Sequence, residues 1–198
     1  MSPKNASIAF YNANAQAFFD RSVEADMAQG HAEFTALLPP GGRVLDAGCG
    51  SGRDALDFHR QGFRVTAMEA SAALAALARA YTGLPIQVMT FDEVVWREAF
   101  DGVWACASLL HVARADLPAA VGRLRDALVP GGVRWMSFKY GTQERVVAGR
   151  TFTDLDERWA QGLLVVAGGL DLVGMHVSGD VREDHTGERW LSVLCRRV

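Results

Sequence analysis

The amino-acid sequence predicts an α/β domain with a doubly wound, mostly parallel seven-stranded sheet of Rossmann-like layout. A helical preface and a terminal antiparallel strand complete this prediction. Short β-rich runs alternate with helical stretches over most of the chain, which is typical of βαβ units. A glycine-rich turn lies between the first strand and the next helix. The last two strands are joined without a helical pattern, so they should be antiparallel neighbours.

The elements are expected in a regular order after two N-terminal helical stretches, residues 7–20 and 23–38. The segment Pro-Pro-Gly-Gly then ends the helix, because proline lacks the amide donor and restricts the residue before it. The expected strands are residues 43–47, 63–68, 86–90, 102–107, 133–138, 170–177 and 189–196. The expected helices between them are residues 53–61, 72–81, 116–128 and 154–167. Residues 1–40 should form a helical cap segment of the same domain as residues 41–198.

The composition is that of an ordinary globular protein, with 49% hydrophobic and 22% charged residues in a chain of 198. A formal net charge of −3 offers no electrostatic footprint for nucleic acid or an anionic membrane, so neither is an expected partner. No secretory signal is recognisable, and the longest nearly apolar stretch, residues 162–170, is too short to span a bilayer. The three separated cysteines fit a reducing compartment. The sequence therefore indicates a cytoplasmic protein and leaves its oligomeric state open.

The most informative segment is VLDAGCGSGRD, at the end of the first strand. Gly48, Gly50 and Gly52 allow a tight turn and a close approach of the backbone to a ligand before a helix N-terminus. A dinucleotide site would have the spacing Gly-x-Gly-x-x-Gly, but Arg53 stands where its third glycine belongs. Asp46 would repel a pyrophosphate, whereas it suits a ligand with a positively charged amino-acid end. S-Adenosylmethionine is such a ligand, so the turn favours this cofactor over NAD.

At these residues the chain resembles the class I methyltransferases, the seven-stranded family that binds S-adenosylmethionine. The resemblance covers roughly residues 43–196 and rests on VLDAGCGSG, on Glu69-Ala-Ser, on Phe91-Asp, on FDGV and on LVPGGV. GCGSGRD and YNANAQAFF are most similar to small bacterial methyltransferases related to the tellurite-resistance type. The resemblance implies methyl transfer from S-adenosylmethionine to a small-molecule acceptor, with a metalloid oxyanion or a thiol among the candidates.

The resemblance also implies a set of residues around the cofactor. Asp46 would lie near the methionine ammonium group, Tyr11 near the cofactor carboxylate, and Glu69 would accept hydrogen bonds from both ribose hydroxyls. Asp92 would face the adenine amino group. The predicted cofactor-binding residues are Tyr11, Asp46, Gly48, Cys49, Gly50, Gly52, Arg53, Glu69, Ala70, Ser71, Phe91, Asp92, Ala107 and Ser108.

The acceptor side is expected beyond the carboxyl ends of the fourth and fifth strands, where ligands of open α/β sheets bind. His111 is a candidate general base, because histidine titrates near neutrality. Lys139 would attract an anionic acceptor, and Tyr140 would stack on it or accept its proton. The predicted substrate residues are thus His111, Lys139 and Tyr140, with the first and last as candidate catalytic residues. The histidines show no metal-ligand spacing, so no metal is expected.

Two other functions remain open at this point. One is an NAD-dependent oxidoreductase, which Asp46 and the glycine spacing oppose. The other is a non-catalytic protein that binds S-adenosylmethionine. The sequence keeps the turn glycines together with Asp46 and Glu69, so loss of the site is not supported.

Overall fold

The computed structural model describes residues 3–181 and 187–198, so residues 182–186 of the predicted connection 178–188 lie outside the description. The strands are β1 Arg43–Ala47, β2 Arg64–Glu69, β3 Ile86–Val88, β4 Phe100–Ala105, β5 Leu128–Lys139, β6 Glu144–Val147, β7 Arg150–Thr153, β8 Leu170–Gly179 and β9 Arg189–Arg197. The helices are α1 Pro3–Ala13, α2 Ala15–Ser22, α3 Ala28–Thr35, α4 Arg53–Arg60, α5 Ala72–Thr82, α6 Leu117–Ala127 and α7 Glu157–Ala167. Short 3₁₀ turns occupy Phe91–Glu93 and Leu109–His111.

The main sheet has seven strands in the order β3-β2-β1-β4-β5-β9-β8, and β6 pairs with β7 in a separate hairpin. Strands β1 to β5 are parallel, whereas β9 is antiparallel to both β5 and β8. The predicted fold class is therefore confirmed. The strand order reverses between β1 and β4, and open α/β sheets bind their ligands in the crevice at such a point.

Apolar side chains cover both faces of the central strands, which explains why these strands have continuous hydrophobic sequences. On one face, α6 and α7 pack against the sheet, with Leu124 among the buried residues. On the other face, Phe34 of α3 and Phe58 of α4 surround Trp104, whose ring stacks on Trp135 at 4.0 Å. The N-terminal helices thus contribute to the same hydrophobic core as the sheet.

Most predicted elements are found within two or three residues, and the differences have local causes. The predicted helix 7–20 is divided at Asn14, whose side-chain amide donates to the Phe10 carbonyl at 2.8 Å. The stretch 23–38 is helical only over α3. The turn expected before the fifth strand lies inside β5 as an irregularity, because Leu128 already pairs with Phe100 before Val133 pairs with Gly102.

The hairpin of β6 and β7 was not predicted. Its strands are joined by Ala148-Gly149, and both residues have positive φ, +49° and +81°. Positive φ at both central positions is the signature of a type I′ hairpin turn. The hairpin is held beside the 3₁₀ turn that follows β4, because Thr153 Oγ1 donates to the Val112 carbonyl at 2.7 Å. It meets α1 where the Thr151 amide donates to Ser7 Oγ at 3.1 Å. The hairpin therefore reaches the carboxyl ends of the strands.

Candidate active site

A cavity of about 1030 Å³ lies at the carboxyl ends of the parallel strands. Ligand pockets in proteins commonly have volumes of roughly 300–1,000 Å³, so this cavity can hold a nucleoside-sized cofactor together with a small acceptor. The predicted site residues that line it are Tyr11, Gly48, Cys49, Gly50, Arg53, Glu69, Ala70, Ser71, Phe91, Asp92, Ala107, Ser108, His111 and Lys139. Three predicted residues, Asp46, Gly52 and Tyr140, do not line the cavity.

The glycine turn forms the floor of one end of the cavity. Gly48, Gly50 and Gly52 all have left-handed backbone, with φ of +86°, +56° and +81°. A Cβ atom at Gly48 would lie 2.5 Å from the Cβ of Ser108, and one at Gly52 would lie 2.7 Å from Cγ2 of Thr82. Only glycine fits these positions without displacing a neighbour, so the turn presents bare backbone towards the cavity.

Glu69, at the end of β2, holds the glycine turn through its carboxylate. Its Oε2 accepts from the Gly50 amide at 3.1 Å and its Oε1 from the Ser71 amide at 2.8 Å. Burial raises the pKa of Glu69, although these amide bonds oppose the effect. The Ala70 amide also interacts with this carboxylate, so about one of its roughly four acceptor positions is left for a ligand hydroxyl. The amide bonds fix the side chain, and its contact with the cofactor ribose remains a prediction.

Asp46 lies behind the turn rather than in the cavity wall. Its carboxyl group faces the first turn of α4, where it interacts with the Ala55 amide, and the residue is 1% exposed. Its Oδ2 has no hydrogen-bond partner among the described residues. Burial raises the pKa of Asp46 well above its ordinary value, and the neighbouring Asp54 and Glu69 add to the effect. A positively charged ligand group beyond the turn would favour the ionised form.

Arg53 and Asp54 belong to a buried network that fixes the start of α4. Asp54 accepts from Arg53 Nε at 2.7 Å and from Trp104 Nε1 at 2.9 Å, and it pairs with His31 Nε2 at 2.9 Å. Burial alone would raise the pKa of Asp54, but the Arg53 charge and these hydrogen bonds hold it well below its usual range. Arg53 NH1 donates to the Ser22 carbonyl at 3.0 Å, so the guanidinium connects α4 to the end of α2.

The other predicted cofactor residues lie around the turn. Ser71 caps α5 by accepting from the Leu74 amide, and its hydroxyl donates to Asn12 Oδ1 at 2.8 Å, which fastens α1 to this end of the cavity. Ser108 Oγ donates to the Ala47 carbonyl at 2.6 Å. Phe91 and Asp92 face the cavity from the 3₁₀ turn after β3.

Aromatic side chains of α1 and α2 cover the turn. Phe18 lies over Gly50, with Cε1 3.3 Å from the position of an added Cβ. Its ring meets the ring of Tyr11 edge-on at 5.0 Å. Phe19 packs on Tyr81 instead and does not line the cavity. Phe18 thus covers the turn, and Tyr11 packs beside it.

His111 and Tyr11 are hydrogen-bonded to each other beside the hairpin of β6 and β7. The Tyr11 hydroxyl lies 2.7 Å from His111 Nε2, and His111 Nδ1 lies 2.7 Å from the Thr151 carbonyl oxygen. Because a carbonyl oxygen only accepts, Nδ1 carries the hydrogen and Nε2 accepts from the tyrosine. Burial lowers the pKa of His111 to about 4, and the charges of Arg150 and Lys139 contribute. The imidazole is therefore neutral near pH 7.

Lys139 and Tyr140 do not share the cavity, which corrects the sequence interpretation. Lys139 lines it and pairs with Glu188. Tyr140 lies on the exposed side, where its hydroxyl donates to Glu157 Oε2 at 3.0 Å and Arg189 lies over its ring at 4.4 Å. Adjacent residues at the end of a strand point to opposite sides, so only one of this pair can face the cavity.

Sequence reasoning missed the residues that the hairpin brings to this end. Arg145, Arg150 and Phe152 all line the cavity. The signal was present in the alternation of Arg150-Thr-Phe152-Thr after the glycine of the turn, which is the pattern of a half-buried strand. Cys106 also lines the cavity, but burial raises its pKa to about 12, so it remains a thiol.

Within the described residues, no cluster of metal-ligating side chains is found. His185 lies outside these residues. The expected absence of a metal remains a prediction. Within residues 3–181 and 187–198, no helix has the length and apolar character needed to cross a membrane.

Comparison with known proteins connects this geometry to one class of domain. Residues 44–132 match the profile of a family described as a methyltransferase domain. The chain is 34% identical over 100 residues to a ubiquinone biosynthesis O-methyltransferase of Bradyrhizobium sp. (strain ORS 278), which covers 48% of this chain and 39% of that protein. It is 36% identical over 128 residues to a malonyl-[acyl-carrier protein] O-methyltransferase of Pectobacterium atrosepticum, covering 60% of this chain and 50% of the relative. The chain thus spans half or less of the length of these curated relatives.

Solved structures share the fold over nearly the whole chain. The 1,6-didemethyltoxoflavin-N1-methyltransferase of Burkholderia thailandensis, solved with its substrate and S-adenosylhomocysteine, has a TM-score of 0.77 and 24% identity over 98% of this chain and 87% of its own. The [4+2]-cyclase SpnF has a TM-score of 0.72 and 17% identity over 96% of this chain and 94% of its own. The fold alone therefore does not fix the reaction.

The chain is thus similar to methyltransferase domains over residues 44–132 and shares its fold with a solved methyltransferase. S-Adenosylhomocysteine, the product form of the cofactor that the glycine turn predicts, is bound in the Burkholderia thailandensis structure. The individual contacts of each residue with the cofactor remain predictions.

Proposed function

We propose that this protein is an S-adenosylmethionine-dependent methyltransferase that acts on a small-molecule acceptor. The observation that carries the proposal is the arrangement of the cavity. The left-handed glycine turn and Glu69 line one part of it, and the hydrogen-bonded pair of Tyr11 and His111 lies in the part bordered by the hairpin. A cofactor and an acceptor held in these two parts would meet inside one cavity.

The residues at the glycine end fit the proposed cofactor in shape and in charge. Gly48 and Gly50 line the cavity without side chains, so a ligand can approach the backbone closely. Glu69 retains acceptor capacity for a ribose hydroxyl. The unpartnered Oδ2 of Asp46 and the neighbouring carboxylates favour a cationic ligand over a pyrophosphate. This charge pattern supports S-adenosylmethionine over NAD.

The protein's main task in such a reaction is to orient the acceptor and exclude water. When bound, the cofactor would supply a methyl group on a sulfonium centre. The acceptor atom would bond to the methyl carbon in line with the sulfur–carbon bond, whose electron pair would stay on sulfur as that bond breaks. Correct orientation can lower the barrier by roughly 7–11 kcal/mol. A proton released by the acceptor can pass to the Tyr11 oxygen as Tyr11 gives its own proton to His111 Nε2. The pKa of His111, about 4, makes it a weak base, so acceptors that ionise readily are favoured.

Titration calorimetry with S-adenosylhomocysteine and with NAD tests the cofactor half of the proposal. We expect S-adenosylhomocysteine to bind and NAD not to bind. Glu69→Gln should weaken the binding about tenfold or more, because one charged acceptor is lost. Glu24→Gln, on an exposed side chain, is the matched control and should bind as the wild type does. Binding of NAD alone, or equal affinity of wild type and Glu69→Gln, would contradict the assignment.

Release of S-adenosylhomocysteine with a set of acceptors tests the transfer itself. The curated relatives are named O-methyltransferases and the structural neighbour is named an N-methyltransferase, so phenols and ring nitrogens belong in the set. Tellurite and a small thiol are included because GCGSGRD motivates the narrower relation to the tellurite-resistance type. Turnover of any of these acceptors supports the proposal. A protein that binds the cofactor but methylates none of them would act as a binding protein only.

The remaining expectations are part of the same proposal. The net charge of −3 supports a partner other than nucleic acid. The three free thiols are consistent with a cytoplasmic setting. Residues 1–40 are proposed to act as a cap on the domain of residues 41–198, because Phe18 lies over the glycine turn and Tyr11 packs beside it.

A further inference from the structure

The acceptor end of the cavity carries three cationic side chains, and two of them have carboxylate partners. Lys139 pairs with Glu188, and Arg145 pairs with Asp154 through contacts of 2.8 and 3.1 Å. Within the part of the chain that the structure describes, the Arg150 side chain has neither a hydrogen bond nor an ion pair, and its Nε is buried without a partner. One positive charge is therefore left over at this end.

Aromatic rings fix the position of the Arg150 guanidinium. Its Cζ lies 4.3 Å from the ring centroid of Phe10, 5.1 Å from that of Phe152 and 6.0 Å from that of Tyr11. Stacking on ring faces stabilises the cation, but it leaves the in-plane N–H donors without acceptors. A buried donor without an acceptor costs roughly 1–3 kcal/mol, so a ligand that accepts from this group would be bound favourably.

The ring of Phe152 contacts both the Arg150 guanidinium and the ring of His111. The ring of His111 lies 5.0 Å from the ring of Phe152, on which Arg150 also packs at 5.1 Å. A ligand held by Arg150 and reaching the Tyr11 hydroxyl would therefore span about one aromatic ring. Phe152 and the edge of His111, which both line the cavity, offer such a ligand apolar contacts.

We propose that Arg150 binds a carboxylate of the methyl acceptor, so that the substrate is a small, ring-sized monoanion. This inference rests on the proposed function and names its substrate class. A guanidinium edge matches a carboxylate by two parallel hydrogen bonds. A single unpaired cation balances one negative charge, whereas a phosphate dianion would need a second cation that Lys139 and Arg145 do not leave free.

Calorimetry with the protein saturated in S-adenosylhomocysteine tests the proposal. The probes are benzoate and its three monohydroxy derivatives, each compared with the matching carboxamide. We expect at least one carboxylate to bind about tenfold or more tightly than its amide. Arg150→Gln should abolish this preference, Arg150→Lys should keep part of it, and Arg189→Gln should leave it unchanged. Arg189 is the matched control because it also packs on an aromatic ring but lies outside the cavity.

The affinity for S-adenosylhomocysteine distinguishes a failure of the proposed function from a failure of the role proposed for Arg150. If wild type fails to bind it, the proposed function fails before the acceptor is tested. If Arg150→Gln weakens S-adenosylhomocysteine binding, Arg150 holds the cofactor carboxylate and the present inference is overturned. It is also overturned if no carboxylate is preferred over its amide, or if the preference survives Arg150→Gln. Unchanged cofactor affinity together with a lost carboxylate preference supports it.

Discussion

The two ends of the cavity are built in different ways. At the cofactor end, the turn from Gly48 to Gly52 and the carboxylate of Glu69 come from two adjacent strands, and backbone hydrogen bonds fix them. At the acceptor end, Tyr11, His111 and Arg150 come from α1, a 3₁₀ turn and a hairpin strand. The first end carries excess negative charge and the second an unpaired positive charge. Substitutions at the first end should therefore affect folding and cofactor binding together, whereas those at the second should affect mainly the acceptor.

The largest difference in the free energy of unfolding is expected between substitutions of two buried aspartates at the cofactor end. Asp54→Asn should lower the free energy of unfolding by about 3–5 kcal/mol, because the charge of Arg53 would lose its buried partner. Asp46→Asn should maintain or raise this free energy at pH 7, because it removes a buried carboxyl whose raised pKa opposes ionisation. Urea denaturation measures both. Equal destabilisation by the two substitutions would contradict the distinction between a paired, ionised Asp54 and an Asp46 whose ionisation burial opposes.

Gly48→Ala should destabilise the protein by about 2–4 kcal/mol, because it combines a strained left-handed backbone with an overlap at Ser108. The same denaturation experiment measures it, and calorimetry should show loss of S-adenosylhomocysteine binding. Gly62→Ala is the matched control, since Gly62 has φ of +91° but nothing within 4 Å of an added Cβ. Similar losses for both variants would mean that backbone strain alone matters and that the close packing of the turn does not.

The acid sensitivity of the acceptor end should depend on His111. The unfolded histidine takes up a proton near pH 6.5, whereas the pKa of about 4 keeps the folded one neutral. Stability is therefore unaffected above about pH 6.5 and falls as the pH decreases to about 4, by up to about 3 kcal/mol. Denaturation across this pH range should show a shallower fall for His111→Gln than for wild type. The exposed His59→Gln should retain the full slope, and an unchanged slope in His111→Gln would contradict the burial of a neutral imidazole.

The smallest effect is expected where the N-terminal helices meet the cofactor end. Ser71→Ala removes the cap of α5 and a hydrogen bond to Asn12, and should destabilise the protein by about 1 kcal/mol. Amide hydrogen exchange should show weaker protection in α1 as well as at the start of α5. Exchange that increases in α5 alone would show that the hydrogen bond between Ser71 and Asn12 does not fasten α1.

The contrast between the two ends also explains how far the sequence predicts the structure. The glycine turn is contiguous, and its spacing together with Asp46 distinguishes it from a dinucleotide site in the sequence, so the cofactor end could be predicted. The pairing of Tyr11 with His111 joins residues 100 positions apart, and no local pattern indicates it. The role of Arg150 depends on a hairpin whose turn contains Ala148 rather than asparagine or aspartate, so its turn signal is weak.

Two predictions about single residues depended on side-chain direction. Asp46 was assigned from charge, and the structure keeps it buried beside α4, behind the turn. Lys139 and Tyr140 were assigned together because they are adjacent, but the pleat of the strand directs only Lys139 towards the cavity. Composition and motif spacing identify which residues are near a site, whereas the pleat and the core packing decide which side chains reach it.

The division of the cavity is tested most directly by two-dimensional amide NMR of the protein titrated with S-adenosylhomocysteine. We predict that the amide signals of Gly48, Gly50 and Ser71 shift strongly, because Glu69 holds two of these amides beside the ligand. The signals of β6 and the Ala148-Gly149 turn should shift little. Strong shifts confined to the hairpin, with the glycine turn unchanged, would contradict the assignment of the cofactor to the glycine end.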